Sequence, residues 1–223
     1  MKIIVVAVIA FFALVILPAA GIADVITFED LSGYTLIPDG YHGLNWHYGP
    51  GSVDGSGNDI SGNAEGWRAL PNTYFDSAYG TTGYTLGVVS PDMVAYNRFG
   101  NPVSFSAVSG TLTFNSVYLT AAWRSDMDVL VEGLLGGSTI YSTNIPYPWP
   151  DHPSEYLFDW SGIDTVRFTP TGGTSYYPDI GDGTQLVFDN ITVQTSAVPL
   201  PPSLLLLGSG LLWLGAWRRL RKS

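Results

Sequence analysis

Three carboxylates stand where their chemistry conflicts with their neighbours. Glu29 and Asp30 close the apolar stretch VITFEDL, and Asp189 interrupts the apolar run QLVFDNITV, where alternation places it on the face of Val187, Ile191 and Val193. A carboxylate on an apolar face must be paired, hydrogen-bonded or metal-bound, because burying it alone is costly. If the first and last strands of the chain pair, these acids converge although about 160 residues separate them. Two acids with one or two backbone carbonyls would form an oxygen site suited to Ca²⁺. Backbone N–H groups at a strand end would satisfy the same acids without a metal, and the sequence leaves both open.

Aromatic side chains form the second chemical group. Flat rings stack on the apolar faces of sugars, and Trp67, Tyr74 and Tyr79 lie in stretches that read as loops, as do Tyr147 and Trp149 in IPYPWPDHP. Four prolines stiffen that last loop and would present Trp149 at little entropic cost. Trp67, Tyr147 and Trp149 are therefore the expected ligand platforms. Trp46 and Trp123 sit in strand-like surroundings and are expected in the core.

Catalytic patterns are weak. His42, His47 and His152 lack zinc spacing, no Ser sits in a nucleophile elbow, and the chain has no cysteine. Glu155 and Asp159 have only their closeness in sequence to suggest a glycosidase pair. Asp54, Ser56 and Asn58 alternate like the start of a Ca²⁺ loop, but Asp59 stands where such a loop needs Gly. The expectation is a binding protein without catalysis.

The elements that must carry these residues are short and β-branched, with period-two alternation. GTLTFNSVYLTAAW places Leu112, Phe114 and Ser116 on one face and Thr111, Thr113 and Asn115 on the other. MDVLVEGLLGGSTIYST reads as a hairpin around Gly136-Gly137. IDTVRFTP and QLVFDNITV supply two further strands, and shorter ones are expected at Val25–Phe28, Gly43–Tyr48, Leu86–Ser90 and Glu155–Trp160. Helical periodicity is absent, and the stretch between Gly49 and Trp67 reads as a long loop. The fold class expected is all-β: an antiparallel β-sandwich of the jelly-roll type spanning Asp24–Ala197.

Composition bounds the partners. All 19 acidic residues lie between Asp24 and Asp189 against four arginines in the same span, leaving it at −15. Such a field excludes nucleic acid and suits cations or neutral partners. Without disulfides, the domain must be held by its core, by metal, or by both. At the N-terminus, Lys2, the apolar run Ile3–Leu17 and a small-residue site ending at Ala23 form a secretory signal peptide, residues 1–23. The alternative is an uncleaved anchor.

The C-terminus, VPLPPSLLLLGSGLLWLGAWRRLRKS, orders three parts: Val198-Pro199-Leu200-Pro201, an apolar run Leu204–Trp217, and the basic cluster Arg218, Arg219, Arg221 and Lys222. This tail resembles the PEP-CTERM sorting signal of Gram-negative bacteria, in the variant that opens Val-Pro-Leu-Pro. Leu200 stands where the main family has Glu. The resemblance implies recognition by an exosortase, cleavage near the Pro motif, and delivery to the cell surface or extracellular matrix after transient residence in the inner membrane. A 14-residue run reaches about 21 Å, short of the ~30 Å hydrocarbon core, which favours an address over a lasting anchor. Terminal helices, one in the signal and one in the tail, are expected from the same segments.

The body also resembles jelly-roll domains of proteins with this tail and, distantly, carbohydrate-binding jelly rolls. ITFEDL, IPDGYHGLNW, GIDTVRFT and LVFDNITV carry that resemblance. It implies a structural Ca²⁺ held at Glu29 or Asp30 and at Asp189. Together these readings point to an exported matrix protein that binds exopolysaccharide. The alternatives are an adhesive protein that binds protein partners or itself, and an extracellular polysaccharide hydrolase.

Overall fold

The computed structural model describes residues 23–146 and 148–196. The signal segment through Ile22, Tyr147 and the sorting tail from Val198 to Ser223, with both expected terminal helices, lie outside the described residues. Among the described residues no helix is long and apolar enough to cross a membrane.

The first half of the chain supplies β1 (Asp24–Ile26), β2 (Thr35–Leu36), β3 (Leu44–Tyr48), β4 (Trp67–Pro71), β5 (Met93–Asn97) and β6 (Val103–Ala107). The second half supplies the long strands β7 (Thr111–Ala121), β8 (Arg124–Leu135), β9 (Ser138–Pro146), β10 (Ser154–Ile163), β11 (Thr165–Ser175) and β12 (Leu186–Ser196). One sheet runs β10-β7-β12-β5-β4-β2, with β1 also on β12; the other runs β3-β6-β11-β8-β9.

The last eight strands are nested. β8 pairs with β9, β7 with β10, β6 with β11 and β5 with β12, all antiparallel. This is one long two-stranded ribbon folded over itself, and the cross-pairs β11·β8 and β12·β7 complete the two sheets. Such a wrap is a jelly roll. The first and last strands pair as expected, Ile26 opposite Ile191.

An aromatic core fills the space between the sheets. Trp46, Trp67, Phe105, Phe168 and Phe188 are all fully buried. Trp67 packs its ring 4.6 Å from Phe188 and 5.1 Å from Trp46. Both indoles are satisfied, Trp67 Nε1 donating to Ser104 O at 2.9 Å and Trp46 Nε1 to Tyr41 O at 3.2 Å. Large rings bury on the order of 150–250 Å² each, which suits a domain with no disulfide. On β7, Leu112 and Phe114 face inward as expected, but a register shift then puts Val117, not Ser116, in the core, and Ser116 pairs with the exposed Leu157 on the outer face; on β11, Val166 and Phe168 are buried and Arg167 is not.

Two expectations change. Leu86–Ser90 is not a strand: Gly83–Leu86 is a short helix and Gly87–Ser90 leads into β5. A second helix spans Asp76–Tyr79. Each has four residues, too few to show a helical period. The other change concerns β12, where a register shift between Asp189 and Thr192 with Asn190 at φ 46° turns the strand. Ile191 and Val193 therefore enter the inter-sheet core, whereas Val187 belongs to a cluster on the outer face.

Candidate functional site

Two of the three acids, Asp189 and Glu29, bond to backbone N–H groups of one loop, and Asp30 bonds to a tyrosine hydroxyl. Asp189 is fully buried, and its Oδ2 accepts N–H bonds from Val89 at 2.7 Å and Ser90 at 2.8 Å. Its Oδ1 accepts the Ser90 hydroxyl at 2.8 Å and the Asn190 N–H at 2.7 Å. Glu29 Oε1 takes the N–H groups of Asp92 and Met93 at 3.0 and 2.8 Å. Asp30 Oδ1 accepts the Tyr41 hydroxyl at 2.5 Å. Four donors fill the lone-pair sites of Asp189, leaving none facing a cation. These acids do not fit a shared Ca²⁺, which needs six to eight oxygens. Asp189 and Glu29 instead hold one loop, Val89–Met93, from its two ends. Burial raises the Asp189 carboxyl above the usual range, while its hydrogen bonds pull it back in part.

The Asp54 loop is likewise closed on itself, Asp54 Oδ1 accepting from the Ser56 and Asn58 N–H groups. Glu155 and Asp159 lie on the exposed side of β10, bonded to Tyr118 and Asn115.

Of the expected ligand platforms, Trp67 is corrected. It opens β4 and is 0% exposed in the core, so no ligand reaches it. Its glycine-rich approach made it look like a loop residue. Trp149 is 41% exposed, and its carbonyl accepts the Ala121 N–H at the end of β7. Tyr147 is outside the described residues.

A different site lies on the outer face of the sheet formed by β4, β5, β7 and β12. Cross-strand register puts Arg68, Tyr96, Val187 and Thr120 in one row there. Leu70, Val94, Tyr96 and Val187 would be exposed in a bare sandwich, but residues 72–88 fold back over them. Thr82 caps the Gly83–Leu86 helix, and Thr85 Oγ1 donates to Asp76 Oδ1 at 2.6 Å. Gly83 is required for this seat: a Cβ there would stand 1.8 Å from Ala121 O.

Between this cover and the loop before β12 opens a cavity of about 450 Å³. Its floor is Tyr84, Tyr96 and Trp123, nearly buried, with Tyr84 edge-on to the other two at 5.3 and 5.6 Å. The rim is Tyr34, Tyr79, Phe99 and Ile180, all exposed. Phe99 is 53% exposed at φ 59°, a backbone state that is strained for a bulky residue. Gly181 lies flat on the Trp123 indole, where a Cβ would approach within 2.5 Å. Arg124 fixes that loop through a two-toothed pair with Asp182, at 2.5 and 2.8 Å.

The polar groups in the cavity are few. The Tyr34 and Tyr96 hydroxyls share a hydrogen bond of 2.8 Å. Burial pushes the Tyr84 and Tyr96 phenols far up, so both stay neutral. Asp182, held below the usual carboxylate range by the Arg124 guanidinium, is the one carboxylate among the lining residues. Gln185 Oε1 is buried and has no hydrogen-bond partner. Sequence reading named Tyr79 as a loop aromatic but could not assemble the site, because its residues come from five separate stretches.

No protein-family model and no curated protein matches this chain. Among solved structures it is similar to a DUF4465 family protein from Bacteroides caccae ATCC 43185, at TM-score 0.48 and 11% identity over 82% of this chain and 96% of that one. It is also similar to a carbohydrate binding module of family 29, CBM29-2, at TM-score 0.28 and 15% identity, covering 74% and 94%. A family 89 glycoside hydrolase from Clostridium perfringens is similar at TM-score 0.34 and 8% identity over 71% of this chain and 15% of that enzyme. All three scores lie below 0.5. The strand pairing, rather than these likenesses, defines the fold.

Proposed function

We propose that this sandwich is a non-catalytic saccharide-binding domain of an exported protein, and that the aromatic cavity is its binding site. One observation carries the proposal: an open cavity floored and rimmed by aromatic rings, with an unpartnered amide oxygen, Gln185 Oε1, in its wall. Rings match the apolar faces of a pyranose, and a sugar hydroxyl is the donor that Gln185 lacks. The lining offers no second carboxylate for glycosidic acid–base work, since Asp182 is held by Arg124.

Export through the signal peptide and sorting through the Val198–Ser223 tail by an exosortase-type enzyme belong to the same proposal. They rest on the sequence alone, and they make exopolysaccharide at the surface or in the matrix the natural ligand. In this proposal the acids Glu29 and Asp189 serve the fold as loop clamps, without Ca²⁺.

A second reading, self-association through sheet edges, has one observation in its favour. Leu157 on the edge strand β10 is 74% exposed.

A glycan array with the wild-type domain, Tyr79→Ala and Trp149→Ala tests the proposal. Saccharide binding that Tyr79→Ala weakens and Trp149→Ala spares supports it. A blank array with a folded protein contradicts it, and concentration-dependent sedimentation would then favour self-association.

A further inference from the structure

The cavity lining is almost uncharged. Of its twelve residues only Arg98 and Asp182 carry charge, and each is already matched within the protein. Arg98 donates to Glu65 at 2.6 Å and lays its guanidinium over the Phe99 ring, 4.6 Å from the centroid. Asp182 takes two donors of Arg124, which hold its carboxyl below the usual range. An incoming anion would have to compete with these carboxylates for both guanidinium groups. The remaining polar side chains of the lining, phenols and one amide, are neutral. Burial keeps the Tyr84 and Tyr96 phenols protonated. Such groups exchange hydrogen bonds with hydroxyls without favouring either sign of charge.

The charges just behind the lining add no surplus of cation. Arg68 is the cross-strand neighbour of Tyr96 and lies over the Tyr34 ring, 4.6 Å from its centroid. Asp76 is adjacent in the chain to Phe75, and Asp179 to Ile180. Together with Glu65 and Asp182 these make four carboxylates against the guanidinium groups of Arg68, Arg98 and Arg124, leaving the neighbourhood at −1. The domain around it stands at −15. Local and global fields therefore have one sign. An anionic ligand finds no free counter-ion at contact and meets repulsion over the ~8 Å that charges reach at physiological salt. It must also shed water from its charge against aromatic rings, which costs far more than burying a hydroxyl.

We infer that the cavity selects a neutral saccharide and rejects one that carries a carboxylate or a sulfate. The inference rests on the saccharide reading above and adds the charge class of the ligand. For an exported matrix domain it divides neutral exopolysaccharides, which the site accepts, from acidic ones, which it turns away.

The wild-type domain tests this on an array that carries cellohexaose and mannohexaose beside their C6-oxidised counterparts, hexaglucuronate and hexamannuronate, and a sulfated galactan oligomer. Binding confined to the neutral members is expected. An acidic member bound as strongly as its neutral counterpart, or the sulfated oligomer bound at all, overturns the inference and leaves the saccharide reading standing. A blank array with a folded protein removes both. Calorimetric titration of the neutral oligomer that binds and of its uronate, at low and high NaCl, then measures the cause. The neutral form should bind about tenfold or more tightly at low salt, and the gap should narrow at high salt as screening weakens the repulsion. Glu65→Gln, which releases Arg98 from its carboxylate, should narrow the gap several-fold at low salt, with a melting curve to establish that the variant is folded. A gap indifferent to both salt and Glu65→Gln overturns the inference as well, because something other than charge would then discriminate.

Discussion

Asp189 and Ser90 are bonded twice: Asp189 Oδ2 accepts the Ser90 N–H and Oδ1 accepts the Ser90 hydroxyl, both at 2.8 Å. Residues 99 positions apart thereby fix the loop that leads from the cavity cover into β5. Asp189→Asn turns one acceptor oxygen into a donor facing N–H groups. It should destabilise the domain by about 2–4 kcal/mol, whereas Ser90→Ala, which removes one bond, should cost about 1 kcal/mol. Urea unfolding of both variants measures this.

Because donors already fill Asp189, chelation should have nothing to remove. The melting midpoint should be the same in EGTA and in millimolar Ca²⁺. Glu29→Ala should still lower it, since two backbone N–H groups lose their acceptor. A midpoint that falls in EGTA would restore the metal.

How far the sequence shows this fold depends on which half is read. The strands β7, β8, β11 and β12 have 11 or 12 residues each and alternate cleanly or carry long apolar runs, so their period is visible. In β5, Met-Val-Ala-Tyr-Asn is buried at all five positions, because the 72–88 segment covers its outer face. Alternation then disappears, and no strand is legible there. Strand β2 has two residues, too short for any period. Trp67 was legible as an important aromatic but on the wrong side, since a loop and a strand meet at that residue. Glu29 and Asp189 are legible as acids that need partners, although what they find is largely the backbone of the Val89–Met93 loop, while Asp30 takes the Tyr41 hydroxyl. The cavity was not legible: Tyr34, Tyr79, Tyr96, Phe99, Trp123 and Gln185 share no spacing, and only the folding-back of residues 72–88 unites them.

The Arg124–Asp182 pair should show in pH. Asp182 titrates below its ordinary value of 3.8 because of Arg124, so its stabilising contribution is present above that value and is lost as pH falls through the folded value. Asp182→Asn should cost roughly 0.2–1 kcal/mol at pH 7, as for exposed pairs. The difference from wild type should shrink as pH falls below 3.8 and the Asp182 carboxylate takes up its proton. Thermal melts from pH 2.5 to 7 check it, and a difference independent of pH would contradict it.

Gly83 tests the cavity cover. A Cβ at 1.8 Å from Ala121 O cannot be accommodated without moving the helix. Gly83→Ala should cost about 1–3 kcal/mol and weaken ligand binding more than stability alone explains. Gly55→Ala, in open space on the exposed Asp54 loop, is the control expected to change neither.

The central claim is the location of the binding site, and amide chemical-shift mapping with a bound oligosaccharide tests it most directly. The expected result is a set of saturable shifts centred on Tyr34, Tyr79, Tyr96, Phe99 and Gln185, abolished in a Tyr79→Ala, Phe99→Ala double variant. Shifts centred instead on Trp149 or on the β9 and β10 edges, with the double variant still binding, would contradict it.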